Sequence, residues 1–254
     1  MPSETTNSSD SQVIRFLKRV NLARKVWVRR PASGKPAFDN EYDRALVVDP
    51  LWNHVWSERH SDLVDIAHCA TKAAMTTQEL INVHRLIKDT EGLTGAIAEV
   101  GVFRGGSARL IALTNQRKRP IHLFDTFSGL PEVTAGIDNL EKHQFAAGLT
   151  EVKSFLSDVM DRIQFHVGFF PESANDLPAD LRFSFVNLDM DTYASTRNGF
   201  EFFYPRLQPG GVILCHDYFA ASCPGVKKAV DEFMTDKPER VIGLWHSQVV
   251  LLKQ

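Results

Sequence analysis

From Ala96 onward, short apolar runs alternate with stretches of helical character, and this alternation constrains the fold more than any other feature. The apolar runs fall at 96–99, 121–124, 163–167, 183–188 and 212–215, with helices expected at 76–89, from Ser107, over a long stretch ending at Met160, from Thr196 and from Val226. Strands that alternate with helices pair in parallel and are covered on both faces. The last two runs, 240–245 and 248–252, flank only His246 and Ser247, so they are expected to form an antiparallel hairpin with Val250 and Leu252 buried in the sheet. The expected class is therefore α/β, a doubly wound and mostly parallel seven-stranded sheet ending in that hairpin.

The first strand leads into Glu99-Val100-Gly101-Val102-Phe103-Arg104-Gly105-Gly106-Ser107. An acid followed by spaced glycines reads as strand, tight loop and helix, because glycine allows positive φ and close ligand approach while the helix start offers unpaired N–H groups. A nucleotide-like ligand fits such a loop. A dinucleotide does not, since G-x-G-x-x-G would put glycine where Phe103 stands. The acid two residues before Gly101 and the glycine four residues after it instead resemble the pattern of class I methyltransferases, which bind S-adenosylmethionine.

Ligands of open α/β sheets lie beyond the carboxyl ends of the strands, and here those ends are polar: Glu99, Asp125, Gly168, Asp189 and His216-Asp217. Asp125 has two readings, a carboxylate for both hydroxyls of a ribose or a turn and cap acid. Asp189 and Asp191 from one strand, with His216 and Asp217 from its neighbour, would meet at one edge. Three converging carboxylates repel unless a proton or cation relieves them. Mg²⁺ suits an oxygen-rich set with room for waters and substrate, and the imidazole also admits Mn²⁺. Alternatively, some of these acids cap helices and His216 is a satisfied structural histidine.

The bulk numbers exclude other classes. A formal charge of −2 lacks the basic excess of a general nucleic-acid binder. Cys69, Cys215 and Cys223 form neither an even set nor a zinc-type spacing, which points to a reducing, cytoplasmic setting. No run has membrane-spanning length, and the Ser/Thr/Asn-rich first residues are unlike a signal peptide. Residues 1–12 read as a disordered tail. Residues 15–30 form a basic amphipathic segment, either docked on its own domain, packed against a second copy of the chain, or facing an acidic or membrane surface. The aromatic stretch with Trp52 and Trp56 is either core or part of an acceptor pocket.

Four motifs in order, Glu99 to Gly106, Phe124-Asp125-Thr126-Phe127-Ser128-Gly129-Leu130-Pro131, Leu188-Asp189-Met190-Asp191-Thr192-Tyr193 and Cys215-His216-Asp217-Tyr218, resemble the macrocin O-methyltransferase family over roughly residues 75–254. The resemblance implies a Rossmann-like class I methyltransferase domain at 75–254, preceded by an extension at 1–74. It implies O-methylation of a hydroxyl on a small-molecule natural product, a sugar moiety above all, with S-adenosylmethionine and Mg²⁺. It implies Asp189 and Asp217 as metal ligands, Asp191 as general base, and Glu99, Gly101, Arg104, Gly105, Asp125, Ser128 and Gly168 around the cofactor, joined by Gly106 and Ser107 of the same loop. Lys142-His143-Gln144-Phe145 resembles the family's polar lid segment. One departure is His216, where the family carries an acid; it is kept as a third ligand. The expected partners are a glycosylated small molecule and a second copy of the chain, with neither nucleic acid nor a membrane. Two rivals are a nucleic-acid methyltransferase, which would place N/D-P-P-Y/F where Asp189-Met190-Asp191-Thr192 stands, and a non-catalytic cofactor-binding or assembly protein.

Overall fold

The computed structural model describes residues 60–130 and 133–254, and a compact unit runs from Val64 to Gln254. The tail, the basic segment and the Trp52–Trp56 stretch lie outside the described residues. Among those described, seven strands form one sheet: β1 (Ala96–Val100), β2 (Ile121–Asp125), β3 (Ile163–Val167), β4 (Phe183–Leu188), β5 (Leu207–Cys215), β6 (Val241–Gly243) and β7 (Val249–Leu252). Their order is β3-β2-β1-β4-β5-β7-β6. The first five are parallel, and β7 pairs antiparallel with both β5 and β6. The chain reverses direction across the sheet between β1 and β4, which opens a crevice at their carboxyl ends.

The helices are α1 (His60–Ala70), α2 (Thr77–Asp89), α3 (Gly106–Thr114), α4 (Leu149–Phe155), α5 (Tyr193–Phe203) and α6 (Pro224–Met234). None among the described residues is long and apolar enough to cross a membrane. Two sequence expectations need correction. The long helix before Met160 is only the seven-residue α4, because residues 141–145 turn back: Leu130 N–H donates to Gln144 O and His143 N–H to Leu130 O. The hairpin pairs as expected, but whereas Val250 is buried, Leu252 is 52% exposed at the end of its strand.

The core is built from the apolar runs that the sequence displays. All six side chains of β4 are buried, and Phe183 meets Phe203 of α5 at 5.0 Å between ring centroids. Each such ring removed from water contributes about 1.5–3 kcal/mol. Helix α2 is fixed at both ends. Thr76 and Glu79 form a reciprocal capping box at its start, and the buried Arg119 donates to Ile87 O and Thr90 O at its finish. Glu79 therefore has little freedom.

Candidate active site

The loop after β1 is shaped by backbone demands. Gly101 sits at φ +90, and a Cβ there would lie 1.8 Å from the carbonyl oxygen of Asp189. Gly105 caps α3 at φ +85, and Phe103 adopts φ +50 without being glycine. What holds Phe103 there is Asp125: its Oδ2 accepts from the N–H groups of Val102 (2.7 Å) and Phe103 (3.0 Å), and its Oδ1 from Phe127 N–H (2.7 Å). Asp125 is thus the turn acid that anchors the loop to β2. A carboxylate offers about four acceptor directions, so capacity for a further donor remains. Gly168, at φ +134, donates its N–H to Asp125 O and lies beside the same strand end.

Glu99 is fully buried, with Asn187 Nδ2 donating to Oε1 at 2.9 Å while Oε2 has no hydrogen-bond partner. Burial pushes its carboxyl up to about 8, against the pull of Ser107 and Asn187. An unfolded glutamate titrates near 4.5, so unfolding between those two pH values releases a proton and stability falls as pH rises through the window. Denaturant midpoints at pH 5 and pH 8 should differ less for Glu99→Gln than for the parent chain; an equal difference would place Glu99 outside this balance.

Strands β4 and β5 deliver the acids expected of them to one edge. Asp189 and Asp191 follow β4, His216 and Asp217 follow β5, and both Asp191 and Asp217 sit at φ +61. Aspartate tolerates this left-handed conformation better than most side chains, yet two such residues at one edge mark a site where local strain is sustained by the surrounding fold. His216 Nδ1 lies 3.0 Å from Asp189 Oδ1 and 2.9 Å from Asp217 Oδ2, and Nε2 lies 3.2 Å from Glu79 Oε1. These are ion-pair separations; neither buried ring nitrogen has the alignment of a hydrogen bond. Burial opposes a charge on His216, but Asp189 and Asp217 outweigh it and hold the imidazole proton well above the usual range. Burial, then Asp189 and Asp217, raise Asp191 well above an ordinary aspartate. Asp217 also groups with Asp191 and Cys223, and so stands between the two clusters.

The remaining sequence-predicted residues divide. Arg104 is exposed and covers the Phe103 ring at 4.9 Å, and Ser107 is buried beside Glu99. Ser128 is exposed, and its carbonyl lies 3.3 Å from His143 Nδ1. Gly106 faces elsewhere: a Cβ there would meet Ala73 N and Cys69 O at 2.4 and 2.5 Å, so its smallness seats α3 against the end of α1. The segment at 142–145 lies over Gly129, and Phe145 meets Phe103 edge-on at 6.0 Å. Two residues escaped sequence reasoning. Asp138 accepts from Tyr193 N–H at 2.9 Å and caps α5, and Glu79 faces His216. The T-x-x-E spacing from Thr76 to Glu79 signalled a helix start but not the contact with β5.

Comparison with known proteins places this arrangement. The family model for macrocin O-methyltransferase matches residues 54–240. The chain is 30% identical over 148 residues to the 8-demethyl-8-(2,3-dimethoxy-alpha-L-rhamnosyl)-tetracenomycin-C 4'-O-methyltransferase of Streptomyces olivaceus, covering 52% of this chain and 56% of that enzyme. It is 27% identical over 226 residues to the mycinamicin III 3''-O-methyltransferase of Micromonospora griseorubida, covering 81% and 85%. Among solved structures, the O-methyltransferase NovP matches with a TM-score of 0.66 and 26% identity, over 72% of this chain and 82% of NovP.

Proposed function

The chain belongs to the macrocin O-methyltransferase family, and on that premise we propose that it transfers a methyl group from S-adenosylmethionine to a sugar hydroxyl of a glycosylated natural product, with help from a divalent cation. The observation that carries this reading is the meeting of Asp189, Asp191, His216 and Asp217 beside the glycine loop, whose Gly101 abuts Asp189 itself. The two relatives described above are named for methylating such molecules.

The residues fit both groups. For the cofactor, the loop from Gly101 to Gly105 and Ser107, with Glu99, Asp125, Ser128 and Gly168, would form the cradle; the buried, unpartnered Oε2 of Glu99 and the free capacity of Asp125 support it. The cofactor supplies an electrophilic methyl group on a sulfonium. For the cation, Asp189, His216 and Asp217 would hold it: His216 Nδ1 lies 3.0 Å from Asp189 Oδ1 and 2.9 Å from Asp217 Oδ2, and the three ligand atoms fall within 4.8 Å of one another. When bound, a cation there would supply Lewis-acid activation of an acceptor hydroxyl. Asp191, whose proton affinity is raised, is placed to take the hydroxyl proton as the oxygen attacks the methyl carbon and the sulfonium sulfur leaves. Segment 142–145, which covers Gly129 and meets Phe103, is assigned the part of a cover over one side of the loop. The extension at 1–74 is assigned a share in acceptor choice, and a second copy of the chain is the proposed protein partner. The exposed side chains of Phe219, Ile242, Trp245 and Leu252 around the antiparallel edge support the latter.

Incubation with labelled S-adenosylmethionine and demethylated macrolide or aminocoumarin glycosides is expected to label the sugar. Chelation should abolish transfer, and Mg²⁺ or Mn²⁺ should restore it. The raised proton affinity of His216 favours a second reading in which the imidazolium itself supplies the positive charge. Full transfer after exhaustive chelation would select it, whereas failure to label any glycoside would overturn the sugar assignment.

A further inference from the structure

Glu79 has no part in the chemistry above, yet it is among the most enclosed charges in the domain, 2% exposed, and it reaches the site from a helix rather than from a strand end. Its Oε2 accepts from Thr76 N–H (2.8 Å) and Thr76 Oγ1 (2.9 Å). Its Oε1 accepts from Ser247 N–H (3.2 Å) and Ser247 Oγ (2.5 Å), lies 3.2 Å from His246 Nδ1, and faces His216 Nε2 at 3.2 Å. Helix capping uses only Oε2. Nothing about a capping box requires the other oxygen to be buried beside an imidazole.

A histidine binds a cation through one nitrogen only when its proton is kept on the other, and a carboxylate beside the second nitrogen is the usual means. His216 Nδ1 is the nitrogen between Asp189 and Asp217; Nε2 is the one beside Glu79. We propose that Glu79 is a positioning residue for the cation site, its carboxylate 3.2 Å from Nε2 favouring the proton there so that Nδ1 is presented to a divalent ion between Asp189 and Asp217. Because Ser247 and His246 bond the same oxygen, the terminal hairpin takes part in fixing that carboxylate. The inference rests on the cation reading of the site.

Mn²⁺ titration followed by electron paramagnetic resonance, on the full chain with no substrate, tests it without reference to activity. Glu79→Gln retains a capping box but no longer carries the charge, and it is expected to weaken Mn²⁺ binding 10- to 100-fold while S-adenosylmethionine binding is kept. In a His216→Asp background, where no imidazole remains to be oriented, Glu79→Gln should not weaken Mn²⁺ at all, an outcome that a merely structural role would not produce. Should Glu79→Gln not fold, Glu79→Asp withdraws the carboxylate by one methylene and should shift Mn²⁺ affinity in the same direction. Equal Mn²⁺ binding by the parent and the Glu79 variants overturns the role of Glu79 alone. No Mn²⁺ binding by the parent chain overturns the cation reading and this inference with it.

Discussion

Asp191→Asn is expected to lower kcat by roughly 10²–10⁴ while leaving Mn²⁺ and S-adenosylmethionine affinities near those of the parent, since removal of a positioned general base is worth about that much. Two features single Asp191 out from its neighbours. It is not among the carboxylates that face His216, and burial followed by the charges of Asp189 and Asp217 raises its proton affinity well above that of an ordinary aspartate. The same substitution at Asp189 or Asp217 should instead weaken the cation, so single-turnover rates set beside Mn²⁺ titrations separate the roles. An Asp191→Asn enzyme with unchanged kcat would remove Asp191 from proton transfer and leave Asp217, its neighbour in the second cluster, as the carboxylate to test.

Gly101→Ala should lose about 4 kcal/mol or more of folding stability, in the range reserved for substitutions with a definite structural fault. The added methyl would stand 1.8 Å from the carbonyl oxygen of Asp189, backbone against backbone, at a φ of +90 that alanine resists. Relief would require the ends of β1 and β4 to part. The glycine loop and the carboxylate edge would then be disturbed together. Gly92→Ala, where a Cβ meets nothing within 4 Å, serves as the control and should stay within about 0.5 kcal/mol of the parent. Denaturant midpoints compare the two, and a Gly101→Ala protein as stable as the control would show that the strand ends yield at little cost.

The central strands β1, β2 and β4 were legible because each is a mostly apolar run, fully or nearly fully buried, that leads into a polar residue, as strands covered on both faces do. Runs 163–167 and 183–188 coincide with β3 and β4, and the antiparallel pairing followed from the two residues left between the last runs. Helix boundaries were less legible. Tyr193 opens α5 three residues before Thr196 because Asp138, from a distant loop, accepts its N–H, and no local pattern carries that information. The supposed long helix before Met160 failed for a similar reason: backbone bonds between 130 and 143–144 won over local helical preference. Of the candidate site, the residues at strand ends could be listed from sequence, since topology alone brings them together. The use of Asp125 as a loop anchor and the approach of Glu79 to His216 depend on side-chain directions that a linear pattern does not encode.

The bonds from Glu79 to the 246–247 turn join residues 168 positions apart in the chain. Synthesis proceeds from the amino end, so helix α2 leaves the ribosome long before the segment that completes its polar contacts, and its buried carboxylate waits without Ser247 or His216. Such long-range closure is slow relative to local helix formation. A nascent or nicked domain ending before residue 246 would carry the glycine loop and Asp189, Asp191, His216 and Asp217, yet lack the Ser247 and His246 bonds that hold Glu79 beside the imidazole. Incomplete molecules of this protein are therefore expected to be idle rather than partly active, which ties function to completed folding.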